Sequence, residues 1–184
     1  MMKHFIIIIF LISAWDAFPQ EAVKPRPSPT EVVTCRYKDA YLKIVYSRPQ
    51  KRGREVFGKL VPYGQVWRTG ANEATEMTIS RDIKINGTEL KAGNYSIFTI
   101  PEKSVWTIII NSDLGLWGAY NYNPTMDVLR FEVPVIVPTA IGMSDTVYEA
   151  FTIWIDQKNE KAEIQMAWDK SKVTLSVQFL EPKQ

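Results

Sequence analysis

The strictest pattern in this 184-residue chain is a period of two near its end. Ala162, Ile164, Met166 and Trp168 alternate with Glu163, Gln165 and Ala167. After a polar turn at Asp169 to Lys172, Val173, Leu175, Val177 and Phe179 alternate with Thr174, Ser176 and Gln178. Successive side chains of an extended chain point to opposite faces, so the pattern predicts an antiparallel hairpin with one buried face. A lone hairpin is marginal in water, and the rest of the chain must supply further strands to cover it.

It supplies them. Phe151, Ile153 and Ile155 mark the preceding strand, and Tyr41 to Tyr46 is rich in aromatic and branched residues. Met77 and Ile79 are followed in the same register by Ile83 and Ile85, with Arg81 intruding, which predicts a bend at Arg81-Asp82. Asn86-Gly87 is a two-residue hairpin signal. Tyr95 to Ile100 and Val105 to Ile110 are further strands; the second is apolar almost throughout and suits a central position. Only Arg54 to Leu60 has a helical pattern. The prediction is an all-β fold, an antiparallel β-sandwich or flattened barrel with one short helix. No internal repeat, Gly-rich phosphate loop or Rossmann fingerprint is present.

Residues 1–20 have the form of an export signal, with Lys3 and His4 before an apolar core from Phe5 to Ile12, then Ser13, Ala14 and Ala17. The core falls short of the roughly 20 residues that span a bilayer, so the mature chain is expected to be soluble and exported, periplasmic or extracellular. Residues 21–31, with Pro25, Pro27 and Pro29, predict an extended, solvated tether. Residues 32–184 then form a single domain.

Composition excludes several chemistries. The one histidine, His4, lies in the signal, which removes a Ser-His-Asp triad, a Cys-His pair and a histidine-ligated zinc site from the mature chain. The one cysteine, Cys35, forms no intrachain disulfide and fits a small residue in an early strand. The net charge of +2 is scattered rather than gathered on one face, against a nucleic-acid partner. No calcium-loop spacing occurs, and neither a metal nor a cofactor is expected. Asn86-Gly-Thr88 and Asn94-Tyr-Ser96 match the N-glycosylation pattern but read as turn chemistry.

Two segments carry candidate site residues. From Pro62 to Thr75 the chain places Trp67, Arg68, Asn72 and Glu73 close together between glycines. Arginine offers a planar fork to carboxylate, phosphate or vicinal hydroxyls, and Asn and Glu can orient hydroxyl groups. The competing reading pairs Arg68 with Glu73 or Asp127 as a loop clamp and turns Trp67 into the core. Trp117 to Asn123 interleaves Trp117, Tyr120 and Tyr122 with amides, a composition suited to stacking on sugars, or to closing one end of the sandwich. Of Arg48, Arg52 and Arg54, the last is the best placed to hold an anion.

The residues Tyr46-Ser-Arg-Pro49, Leu60 to Thr75, Ala92-Gly-x-Tyr95-Ser96, Phe98-Thr-Ile-Pro101, Trp117-Gly-x-Tyr120-x-Tyr122 and Asp127-x-x-Arg130 resemble the family catalogued as domain of unknown function 2911. The resemblance spans roughly residues 40–180 and implies a small exported bacterial domain. It carries no established activity, substrate or catalytic residue.

The leading expectation is a non-catalytic protein that binds a small ligand or an envelope glycan through Arg54, Trp67, Arg68, Asn72, Glu73, Trp117, Tyr120 and Tyr122. One alternative is a carbohydrate-active hydrolase using Glu73 and Asp127 as a carboxylate pair. Another is an envelope scaffold that contacts a protein partner.

Overall fold

The computed structural model of the protein describes residues 24–136 and 146–181; the export signal expected at residues 1–20 lies outside them. In chain order the strands are β1 (Thr30–Tyr37), β2 (Ala40–Ser47), β3 (Thr75–Ile79), β4 (Ile83–Ile85), β5 (Thr88–Leu90), β6 (Gly93–Pro101), β7 (Val105–Asn111), β8 (Asp127–Pro134), β9 (Tyr148–Lys158), β10 (Lys161–Asp169) and β11 (Ser171–Phe179). They form a six-stranded sheet, β1-β2-β3-β6-β7-β8, and a five-stranded sheet, β5-β4-β11-β10-β9. Every pairing is antiparallel. The sheets pack face to face without closing into a barrel, so the fold is a β-sandwich.

The period-two hairpin forms in the expected register, with Ile164 opposite Leu175 and Met166 opposite Val173. Its apolar face enters the core beside Trp106, Ile108 and Ile110 of β7. The bend at Arg81-Asp82 carries the chain from β3 in one sheet to β4 in the other. Asn86 (φ 47°) and Gly87 (φ 83°) both take the left-handed conformation that a type I′ hairpin turn requires.

Two expectations change. Arg54 to Leu60 is not helical but a series of turns around an isolated bridge between Phe57 and Val61. Gly53 (φ 72°) and Gly58 (φ 89°) interrupt any helix, and Gly58 N–H donates to Val61 O (2.8 Å) rather than back along the chain. Buried Val56, Phe57 and Val61 instead draw this segment into the end of the core. The helical element among the described residues is a 3-10 turn at Pro124–Met126, capped by Asn123, whose side chain accepts from Thr125 N (3.0 Å). β8 also lacked a sequence expectation, although Leu129, Phe131 and Val133 alternate inward along it.

β7 is apolar on both faces for a structural reason. Trp106, Ile108 and Ile110 face the space between the sheets, whereas Ile109 joins Phe98 of β6 and Ala74 in a second cluster on the outer face. Val66, Leu116, Ala119 and Tyr122, from the segments 62–75 and 113–123, cover that cluster. One part of the sandwich therefore has a third layer.

Cys35 is a free thiol in β1, and burial pushes its pKa up to about 11. A thiol reagent at about pH 8 should leave it unmodified in the folded protein and modify it after denaturation, because the thiolate is the nucleophile. Rapid native labelling would contradict this burial.

Candidate functional site

The covering layer brings the two candidate segments together. Glu73 forms an isolated antiparallel bridge with Trp117. Ala74 N donates to Leu116 O (2.9 Å), and Gly118 N donates to Asn72 O (2.9 Å). Neighbouring residues then part company. Trp67 bridges Thr99 of β6, with N–H···O bonds of 2.7 and 2.9 Å, and its indole turns into the core. There it stacks on Trp168 (5.8 Å) and meets Phe151, Phe57 and Trp106 edge-on. Its Nε1 donates to Gly70 O (3.0 Å), so Trp67 is an anchor and not a stacking platform for sugar.

Arg68, one residue on, takes the other side. Its guanidinium lies against Gly118, where an added Cβ would sit 3.1 Å from Arg68 Nη1 and 2.9 Å from the Tyr120 ring. Gly118 thus opens the space that Arg68 occupies. The clamp expected from sequence does not form: Glu73 accepts from Arg26 Nη1 at 2.7 and 2.9 Å, and Asp127 pairs with Arg130 (2.9 Å). Arg68 Nε is buried and has no hydrogen-bond partner. Among the described arginines the others have an ion pair, a carbonyl or an aromatic ring; Arg68 has none of these.

The backbone that presents Arg68 is strained. Thr69 is fully buried with φ 55°, a left-handed conformation that costs a β-branched residue about 1–3 kcal/mol. Its hydroxyl bonds Thr99 Oγ1 (3.2 Å), and its carbonyl accepts from Thr75 Oγ1 (2.6 Å). Asn72 also has a positive φ, 58°, and its Nδ2 donates to Ser28 O (3.3 Å) and Ser47 Oγ (3.4 Å). Asn72 therefore organises the loop and does not face the cleft.

A cleft of about 560 Å³ opens beside Arg68. Trp67 and Trp168 contribute to its lining, Leu60 and Val66 form apolar wall, and Arg54 and Tyr120 also border it. Tyr120 is 81% exposed. Arg54 is fixed by donating from Nε to Lys51 O (2.8 Å) and from Nη2 to Gln50 O (2.7 Å). Trp117, 57% exposed, stands outside this lining. Tyr122 also lies outside it, packed on Phe98 (5.0 Å) with its hydroxyl donating to Asp127 Oδ2 (2.6 Å). Burial, and then the Asp127 carboxylate, push the Tyr122 pKa up to about 12. Glu73 and Asp127 are engaged in separate ion pairs, and Glu73 borders a second cleft that Asp127 does not line. Among the described residues, no group of three or more His, Cys, Asp or Glu could hold a metal ion.

A family model described as protein of unknown function, DUF2911, matches residues 28–177. The chain belongs to that family. No curated protein and no solved structure matches it. The DUF2911 match starts at Ser28, in the segment expected to be a free tether. In the structure that segment lies along the domain: Arg48 N donates to Pro29 O (2.8 Å), Arg52 Nη2 reaches Pro27 O (3.4 Å), and Ser28 borders the cleft. Arg26, Ser28 and Trp168 are site neighbours that the sequence did not reveal, since nothing in a Pro-rich run or a distant hairpin signals them.

Two substitutions at adjacent positions should act in opposite directions. Trp67→Ala empties a buried aromatic site and should cost about 3–5 kcal/mol. Arg68→Met removes an unsatisfied buried donor, so stability should hold or rise by about 1 kcal/mol, or about 2–4 °C in Tm. A large loss in Arg68→Met would mean that the guanidinium has a structural partner.

Arg26 holds the Glu73 carboxyl below its ordinary pKa. A depressed folded-state pKa stabilises above the unfolded value and is lost as pH falls through the folded one. Both side chains are about half exposed, so Glu73→Gln should cost under about 1 kcal/mol globally. It should nevertheless sharpen the NMR signals of residues 26–28, as acidification should in the native protein. Unchanged signals would show that the pair does not hold the segment.

Proposed function

We propose that this DUF2911 domain is an exported, non-catalytic binding protein that holds a small molecule or an envelope glycan in the cleft beside Arg68. One observation carries the proposal: a guanidinium with a buried, unsatisfied Nε and no ion-pair partner borders a cleft of about 560 Å³. Leaving such a donor unmet costs about 1–3 kcal/mol, and no other nitrogen of this guanidinium is bonded to a described residue, which leaves the fork open to a bound acceptor. The cleft falls within the roughly 300–1,000 Å³ of small-molecule sites. Strain at Thr69, next in the chain, is also of the kind that gathers at binding sites.

The hydrolase alternative draws less support. Glycoside hydrolysis needs two carboxyl groups flanking one bond, whereas Glu73 and Asp127 are each held by a different arginine. A thermal-shift screen of sugars, peptidoglycan fragments and organic anions tests the binding reading. A ligand at about 100 times its Kd should add roughly 2.7 kcal/mol, and Arg68→Ala should remove the shift without unfolding the protein. A shift that survives Arg68→Ala would move binding away from this cleft.

A further inference from the structure

We infer that the cleft takes a small organic anion, a carboxylate or phosphate head on an apolar body, rather than a neutral sugar. This inference rests on the binding role proposed above. Arg54 and Arg68 are the charged residues of the lining, and no aspartate or glutamate joins them among the described residues. The acidic groups named in the sequence as partners for Arg68 are occupied elsewhere, Glu73 by Arg26 and Asp127 by Arg130, Tyr122 and Asn111. The positive charge of Arg68 is therefore uncompensated by a direct protein contact.

The guanidinium fork matches two oxygens of a carboxylate or phosphate in one plane, and a charge-assisted pair of this kind is roughly twice as strong as a neutral one. Two of the aromatic residues that a neutral sugar was expected to use are not available to it. Trp67, the expected stacking platform, is buried in the core, and Trp117 lies outside the lining. Leu60 and Val66 instead form an apolar wall, and the exposed ring of Tyr120 stands at the border. An anionic head on Arg68 thus leaves an apolar surface for the body of the ligand. Arg54, tied to two backbone carbonyls, supplies a second positive charge along the same cleft.

Calorimetric titration of the purified protein with 4-phenylbutyrate, its uncharged amide, phenyl phosphate and N-acetylglucosamine tests the assignment. The acid or the phosphate should bind at least tenfold more tightly than the amide, and the preferred head identifies the oxyanion. Arg68→Met should abolish that preference while its circular dichroism stays native, and Arg68→Lys should only partly restore it. Arg54→Gln, at an exposed position, should weaken the anion severalfold and serves if the Arg68 variants fail to fold. Equal binding of acid and amide, or binding of N-acetylglucosamine alone, would overturn the anion assignment and leave the cleft as a binding site. Silence from all four probes would overturn both readings.

Discussion

The outward burial of Phe98 and Ile109 governs the rest of this structure. In a two-layer sandwich the outer face of a sheet meets water, yet these two side chains are fully buried there. Each is worth about 1.5–3 kcal/mol when covered, which favours a third layer built from the 62–75 and 113–123 segments. That gain, about 3–6 kcal/mol together, is comparable with the local costs of the cover. Those are a left-handed Thr69 at about 1–3 kcal/mol and an unsatisfied Arg68 Nε at about 1–3 kcal/mol. The apolar contact can thus hold a strained, polar loop in one place.

Trp67 and Arg68 show how one peptide links the two functions. The indole of Trp67 is locked among four other aromatic rings, and the bridge to Thr99 fixes its backbone. Arg68 follows immediately and is directed to the opposite side, into the space left by Gly118. A core residue therefore sets the position of the guanidinium. Glu73 pairs with Arg26 and Asp127 with Arg130, so neither carboxylate named in the sequence as a partner for Arg68 neutralises it by direct contact.

Much of the fold was legible because it depends on local chemistry. The alternation from Ala162 to Phe179, the Asn86-Gly87 turn and the bend at Arg81-Asp82 each act over a few residues. The supposed helix at Arg54 to Leu60 failed because Gly53, Gly58 and the burial of Phe57 outweighed a short periodic pattern. The site was only partly legible. Sequence placed Arg68 and Tyr120 in two suspicious segments, but their approach depends on the bridge between Glu73 and Trp117, which no spacing reveals. The role of Trp67 turned on which face of a bridge it occupied. The contacts of Arg26 and Ser28 were hidden because a Pro-rich run looks the same free or docked.

The Arg68 guanidinium is left without a partner among the described residues, and the proposed binding role depends on that unmet donor. Nitrogen-detected NMR of the Arg68 Nε–H, with and without a bound anion, tests it most directly. The free protein should show no through-hydrogen-bond coupling to a protein acceptor, and this signal should shift clearly on binding. A coupling to a protein carbonyl or carboxylate in the free protein, unchanged by every anion, would contradict it.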